Sequence, residues 1–543
     1  MAKQAKETVK AKDKKKTKVV AHKTNILFQN KLFYGDNLDV LRKYMRDETI
    51  DLCYIDPPFN SKRNYNQIYL NQGSEDKAQA QAFVDTWTWD DFAMDGLAEI
   101  MTNEKARFGV KTMLLIEGFE KVLGKGSLLA YLIHITLRVT EIHRVLKPTG
   151  SFYFHCDPTA SHYIKLVLDS IFCTTGGDFR NEIIWHYSGW NAVLNDSFNK
   201  RHDCILFYSK SNKNVFNGFA EKWKSVDEYV KIRKQKVLKD DNGSLYVMSD
   251  GGNGTRIKRY LQEAMDYGKP ISNVWIIDKI NNSSKERLGY PTQKPEALLE
   301  RIIKASTNKG DIVLDAYCGC GTTVVVAEKL KRKWVGCDIT YQSISLMLKR
   351  LTDTFDKKLT DSIELNGVPK DIESAIALAN KVDDRTRKEF EKWCVLSYSD
   401  NKAMINEKKG SDGGIDGVIL LSDYKSETDN AIELKNVYFS VKSDIKPSVK
   451  YIRDFYGAMQ RDKAVFGIFI CLYKPTKDMI EECKKLGQYQ CNIIDKKYPL
   501  IKIVTVEEIF NGDRLEIPTT HRIDVVKSAK KVNNGDGQVQ LKL

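Results

Sequence analysis

The chain lacks the features that mark several protein classes. No run of 18 apolar residues occurs, and the best candidate, Leu128 to Leu137, is broken by Tyr131, His134 and Thr136; a membrane-spanning helix is therefore not expected. The amino terminus has no apolar segment of the kind a secretory signal needs. The 11 cysteines form no C-x-x-C pair and no zinc spacing with histidine. Reduced thiols in a cytoplasm are expected, and a structural zinc is not. Cys318 and Cys320, the closest pair, sit in a glycine-rich turn, where small-residue packing is the expected role. A helicase-type ATPase motif is missing, so ATP-driven translocation would require another protein. G-x-G-x-x-G is missing too, which weighs against a dinucleotide.

What is present points to a large basic globular protein. At 543 residues the chain exceeds a single core, and two or three domains are expected. Hydrophobic residues make up 42% and aromatics 10%, which suits a folded protein. The net charge of +14 favours a polyanionic partner, either nucleic acid or an acidic surface, with an ordinary soluble basic protein as the bland alternative. Residues 1–25 carry nine lysines against Glu7 and Asp13 and no apolar period, so a disordered basic arm is expected there. A disordered tail is expected at 526–543.

The stretch DLCYIDPPFN at 51–60 is the most specific. Ile50, Leu52, Tyr54 and Ile55 read as a buried strand, and Pro57 and Pro58 remove two backbone donors, so the chain must stop and turn. That leaves Asp56 and the Pro57 carbonyl as a fixed acceptor pair beside the Phe59 ring, a site for a flat, amine-bearing ring such as a nucleobase. A chance Asp-Pro-Pro turn is the alternative for the tetrapeptide alone.

Around it, strand, helix and strand repeat. KLFYGDNLDVLRKY at 31–44 places Asp36 just past a strand, in a ligand crevice or as a helix N-cap, two compatible roles. Residues 128–146 read as a helix, GSFYFHCD as the next strand, and 159–172 as another helix before the strands at 182–187 and 199–210. His155, Cys156 and Asp157 invite a nucleophile reading, but neighbours on a strand point to opposite faces, so a catalytic triad is not expected. Trp87 and Trp89 are expected in core packing, with stacking on nucleotides as the other role. A basic, loop-rich stretch follows at about 211–275. Lys200 and Arg201 precede it and Arg256, Lys258 and Arg259 lie within it, a place for DNA contacts or for an ordinary solvated insertion. YPTQKPEALLERII at 290–303 opens a helix with Pro295 in its first turn. DIVLDAYCGCGTT at 311–323 is a strand and a small-residue turn, where Gly319 and Gly321 allow close backbone approach to a ligand. KWVGCD ends at Asp338, 23 residues after Asp315, and could accept from both ribose hydroxyls of an adenosine group.

DPPFN, YPTQKPEALLERII and DAYCGCGTT, in this order, resemble the β-order DNA amino-methyltransferases, over roughly residues 26–350. The resemblance implies a Rossmann-like α/β sheet binding S-adenosylmethionine, with a target-recognition insert at about 190–285 inside a 26–365 domain. It implies that Asp56, Pro57, Pro58 and Phe59 hold a flipped base. Tyr317, Gly319 and Gly321 would line the cofactor pocket with Asp36 and Asp315, Asp338 would take the ribose, and Thr292, Gln293 and Lys294 would lie near the cofactor. Tyr317 stands where Phe is commoner. Asp in the first motif position goes more often with adenine N6, and cytosine N4 remains the alternative.

The last third differs. KKGSDGGIDGVILL at 408–421 and NVYFSVKS at 436–443 resemble the Mrr-type PD-(D/E)xK restriction-endonuclease fold, over a domain expected at 366–525. That resemblance implies Mg²⁺ on Asp416 and Lys442 beside a scissile phosphate, with Ser440 where an acidic residue or Gln is usual and Glu389 or Glu391 as candidate replacement. A cross-strand ion pair is the alternative for Asp416 and Lys442. The expectation is thus a site-specific adenine N6 methyltransferase on double-stranded DNA, within a restriction-modification or related defence system. A homodimer or a partner restriction subunit is left open. A modification-dependent endonuclease that uses the first fold as a reader, and a DNA-binding regulator, are the rivals.

Overall fold

The computed structural model describes residues 29–59, 63–67, 70–71, 74–75, 80–85, 87–189, 198–281, 283–288, 290, 292–380, 384–400, 402–406, 414–426 and 429–518. The basic arm at 1–25 and the tail at 526–543 lie outside them. No helix among the described residues is long and apolar enough to cross a membrane.

A nine-stranded sheet organises the first two thirds of the chain. Its spatial order is Val274–Ile276, Asp178–His186, His202–Ser209, Leu146–Cys156, Ile50–Ile55, Ile312–Asp315, Lys333–Asp338, Lys31–Tyr34 and Glu364–Asn366. The strands from Leu146–Cys156 through Glu364–Asn366 run parallel, and His202–Ser209 is antiparallel to both its neighbours. Alternation along each strand decides which side chains face which way. Phe33, Cys53, Ile55, Phe152, Phe154, Leu314 and Val335 pack on one side, with the helices Asn37–Tyr44, Ser127–Val145 and Ser161–Phe172 supplying Leu41, Leu132, Ile142 and Leu168. Leu32, Leu52, Tyr54, Tyr153, Val313 and Trp334 face the other, against Leu298, Ile302, Val325 and Ile344. Both faces are thereby covered, as a largely parallel sheet requires.

The insert is smaller than its sequence boundaries suggest. His202–Ser209 lies within the large sheet, and Val274–Ile276 rejoins it at the edge beside Asp178–His186. Between them a separate three-stranded ribbon, Val237–Lys239, Leu245–Gly252 and Thr255–Tyr260, packs with two short helices over its own cluster of Trp223, Tyr229, Val247, Leu261 and Ala264.

A second, five-stranded sheet follows in the order Met404–Ile405, Gly417–Ser426, Asp429–Lys442, Phe466–Cys471 and Ile501–Thr505. Helix Asp384–Tyr398 ties the two sheets together. The apolar cluster that contains Trp334, Ile344 and Leu351 continues without a break into Phe390, Val395, Phe439 and Ile468. At the same junction Tyr34 donates from its hydroxyl to Glu389 at 2.7 Å, and the hydroxyls of Tyr341 and Ser397 lie 3.2 Å apart.

Candidate active site

The chain leaves Ile50–Ile55 for Leu146–Cys156 on one side, and leaves Ile312–Asp315 for Lys333–Asp338 on the other. These two central strands are neighbours, so the sheet's switch in winding falls between them, where ligands of open α/β sheets bind. In register Asp315 pairs with Tyr54 and with Gly336. Asp56, Asp315 and Asp338 therefore emerge at the same end of three adjacent strands, although 282 residues separate the first from the last (338 less 56).

The glycine turn is built on that end. Tyr317 N donates to Asp315, and Gly319 N donates to Asp338 Oδ2 at 2.8 Å. Thr340 donates to Asp338 Oδ1 from both its amide and its hydroxyl. A carboxylate has about four lone-pair positions, so Oδ2 can still accept from a ligand hydroxyl. Gly319 and Gly321 have φ of +50° and +75°, and a Cβ on Gly319 would come 3.2 Å from the Tyr290 ring. The resulting cradle of Gly319, Tyr290 and Asp338 fits a nucleoside cofactor. Burial raises Asp338, and it lifts Asp315 to about 7 against hydrogen bonds from Thr323 and the Tyr317 amide, with Asp56 and Asp338 adding to the rise.

Asp36 supports the turn from behind. Its Oδ1 caps the Leu38 amide and its Oδ2 pairs with Arg138 at 2.7 Å. Buried Arg138 also donates to Asn37, whose amide group donates to the Ala316 carbonyl. Tyr317 meets His134 at 3.1 Å, and the His134 ring packs on Trp87 with centroids 4.1 Å apart, so Trp87 is a packing residue.

Asp56 faces two cationic or basic groups. Lys294 Nζ donates to its Oδ2 and also, at 3.2 Å, to the Thr292 carbonyl. The ammonium of Lys294, a residue expected near the cofactor, lies on the Asp56 carboxylate beside the glycine turn, and Thr292, at φ +62°, precedes it in this loop. Gln293 braces this loop through the Leu288 amide and the Glu286 carbonyl. Pro295 is the N-cap of helix Glu296–Ser306 and precedes its first turn. Asp56 Oδ1 is buried with no hydrogen-bond partner among the described residues, and His155 Nδ1 stands 3.8 Å from it. Phe59 lies against His155 with centroids 5.7 Å apart and under Lys294 at 5.6 Å. His155, weighed from the sequence only as part of a nucleophile triad, and its partner Asp203, which sequence reasoning passed over, stand beside this site.

The basic candidates divide. Lys200 is exposed, while Arg201 folds back onto the Gly189 carbonyl. Arg256, Lys258 and Arg259 are all exposed, but strand alternation puts Arg256 and Lys258 on one face of the ribbon, with Lys258 4.8 Å from the Tyr246 ring, and Arg259 on the other.

In the second sheet Gly417 pairs with Phe439, which brings Asp416 opposite Ser440. Asp416 Oδ2 accepts from the Val441 amide at 2.7 Å, and Lys442 Nζ lies 3.7 Å from the position of a Cβ on Gly414. Ser440 is buried. Glu389 is engaged with Tyr34 and Lys392, whereas Glu391 and Asp416 both act on the buried Cys394 thiol, which burial raises first. Among the described residues no three His, Cys, Asp or Glu side chains gather as a metal site.

Residues 50–349 match the family model described as DNA methylase, and residues 382–498 match one described as restriction endonuclease. DNA adenine methyltransferase YhdJ of Escherichia coli (strain K12) is 26% identical over 321 residues, 59% of this chain and 82% of that protein. Type II methyltransferase M.HpaI of Haemophilus parainfluenzae is 33% identical over 218 residues, 40% of this chain and 58% of that one. The StyLTI Mod subunit, a type III restriction-modification enzyme subunit of Salmonella typhimurium, is 26% identical over 362 residues, 55% of this chain and 50% of its own length. The first match spans more than half of the chain, and the chain belongs to the DNA methylase family, with a restriction-endonuclease segment joined to it.

Proposed function

We propose that the protein methylates adenine N6 at specific sites in double-stranded DNA. The observation that carries this reading is the buried Oδ1 of Asp56, unpartnered among the described residues, at the switch point next to the glycine cradle of the neighbouring strand. Asp56 and the Pro57 carbonyl accept the hydrogens of an exocyclic amine and keep its lone pair directed outward, while Phe59 offers a face for stacking on an extruded base. Lys294 holds the other carboxylate oxygen, Oδ2, and leaves Oδ1 for the amine. Tyr317, Gly319, Gly321, Tyr290 and Asp338 would hold S-adenosylmethionine, which when bound would supply an electrophilic methyl group. Adenine rather than cytosine is favoured by the aspartate in the first motif position and by the adenine named in the YhdJ relative.

The 366–525 segment is proposed to engage DNA with little cleavage of its own, because Ser440 replaces an acidic ligand and one Asp416 oxygen is committed to the backbone. The name of the Mod subunit supports a partner restriction subunit for this chain too. The test is incubation of the full chain with DNA and isotopically labelled S-adenosylmethionine, followed by nucleoside mass spectrometry. N6-methyladenine is expected, and Asp56→Ala should remove it by about a thousandfold or more while cofactor affinity stays within a few fold. N4-methylcytosine as the product, or equal loss of binding and transfer, would overturn the assignment.

A further inference from the structure

Behind Asp56 stands a buried chain of polar groups that amine binding does not use. His155 lies on Leu146–Cys156, the strand beside Ile50–Ile55, and is wholly buried. Strand alternation separates the three residues of its cluster. Cys156 joins the opposite face of the core, Asp157 caps the Thr159 amide, and His155 alone turns toward the site. Its Nδ1 is 2.8 Å from the Tyr54 hydroxyl and its Nε2 is 3.3 Å from Asp203 Oδ2. Asp203, on His202–Ser209, also accepts from Tyr187 at 3.1 Å. Burial alone would raise Asp203, but the His155 hydrogen bond and the charges of His155, Lys294 and Lys279 outweigh it and hold the carboxyl at about 2. Asp203 is therefore ionised and accepts only, so His155 donates to it from Nε2 and presents Nδ1 to Tyr54 and Asp56.

An amine that gains a methyl group carries one positive charge until it sheds a proton. We propose that His155, oriented by Asp203 and Tyr54, is the positioning residue that receives this proton through Asp56; the inference rests on the reading of Asp56 given above. The N–H bond of the methylated amine breaks, its electron pair returns to nitrogen, and the proton bonds to Asp56 Oδ1. It then passes to His155 Nδ1, which restores the carboxylate and leaves an imidazolium against the Asp203 carboxylate. Asp56 and His155 must close by about 1 Å for the second transfer, and the Tyr54 hydroxyl, which both donates and accepts, can turn as Nδ1 becomes a donor. The other charged groups on this wall do not serve. Lys294, on Asp56, and Lys279, over the Tyr187 ring at 3.6 Å, present donors when charged, and Asp203 lies behind the imidazole.

Two measurements test the relay, both on the full chain. Single-turnover methylation is followed against pH for the wild type, His155→Gln and Asp203→Asn, with cofactor and DNA affinities measured by calorimetry. His155→Gln should slow transfer by about tenfold to a hundredfold and lose the rising limb of the profile, with affinities within about twofold, and Asp203→Asn should flatten the same limb. Separately, ¹⁵N NMR of the wild-type histidines without cofactor should show His155 protonated on Nε2 and unprotonated on Nδ1. An unchanged rate and profile in His155→Gln while the wild type is active overturns the relay, as does an Nδ1–H tautomer. Should His155→Gln not fold, the Asp203→Asn profile and the tautomer decide. Absence of methyl transfer by the wild type would count against the function proposed above, and the tautomer would still report on the relay.

Discussion

Asp315 shows how a single buried carboxyl ties stability to pH. It is almost wholly enclosed, and burial moves it to about 7. The folded protein thus keeps a proton that an unfolded aspartate releases near pH 4, so stability falls as pH rises from about 4 to about 7. His143 pulls the other way in part of that window. Burial, then Lys210, lowers it to about 4, so the unfolded chain binds more protons and stability rises with pH. The diagnostic is therefore a difference between two proteins. Asp315→Asn should lose the Asp315 share of the decline, and its melting temperature relative to wild type should rise between about pH 5 and pH 8. Parallel melting curves across that range would refute a proton on Asp315. At this scale the sequence was legible where geometry is local: the buried strand Ile50–Ile55 ends where Asp56, Pro57 and Pro58 stop it. The contacts of Lys294 and His155 with Asp56 were not, because they lie 238 and 99 residues from it (294 less 56, 155 less 56) and only the order of strands brings them together.

The turn after Ile312–Asp315 is an element whose glycines have separable duties. Gly319 leaves room beneath Tyr290. Gly321, the N-cap of helix Thr322–Lys329, is left-handed, and a Cβ there would stand 2.5 Å from Met347 on the following helix, Tyr341–Thr354. Gly321→Ala combines backbone strain with overpacking and should cost about 1–3 kcal/mol, read as a lower denaturant midpoint together with weaker cofactor binding. The small-residue spacing made this turn readable in advance, whereas the face assignments in the insert were hidden until the ribbon's register was known. Reversing the pair on one face, Arg256→Glu with Lys258→Glu, should weaken DNA binding and make its salt dependence shallower, by a slope of about 1 for each phosphate no longer neutralised. Arg259→Glu, on the other face, should do less; filter binding at several salt concentrations distinguishes the two.

Across the whole molecule, the two sheets share apolar packing. Phe390, Val395 and Tyr398 of the linking helix are buried in the same cluster as Trp334 and Leu351. A chain ending at Asn366 would expose that side of the methylase half. It should express poorly or melt several degrees below the full chain, which itself should unfold in one calorimetric transition; a well-folded fragment with unchanged melting would show the packing to be dispensable. The division into two α/β units was legible from the change in motif and charge pattern near Val368. The tie between them was not, since Glu389 reads in sequence as a candidate replacement ligand of the second unit and in space receives the Tyr34 hydroxyl of the first.

That hydroxyl belongs to the strand lying directly beside the one that ends in Asp338. Synthesis on one ribosome already sets the dose of both halves at one to one, and this shared seam extends the coupling from gene dosage to inheritance. Recombination that traded away either half would have to replace the seam as well, so descendants should keep or lose the two together.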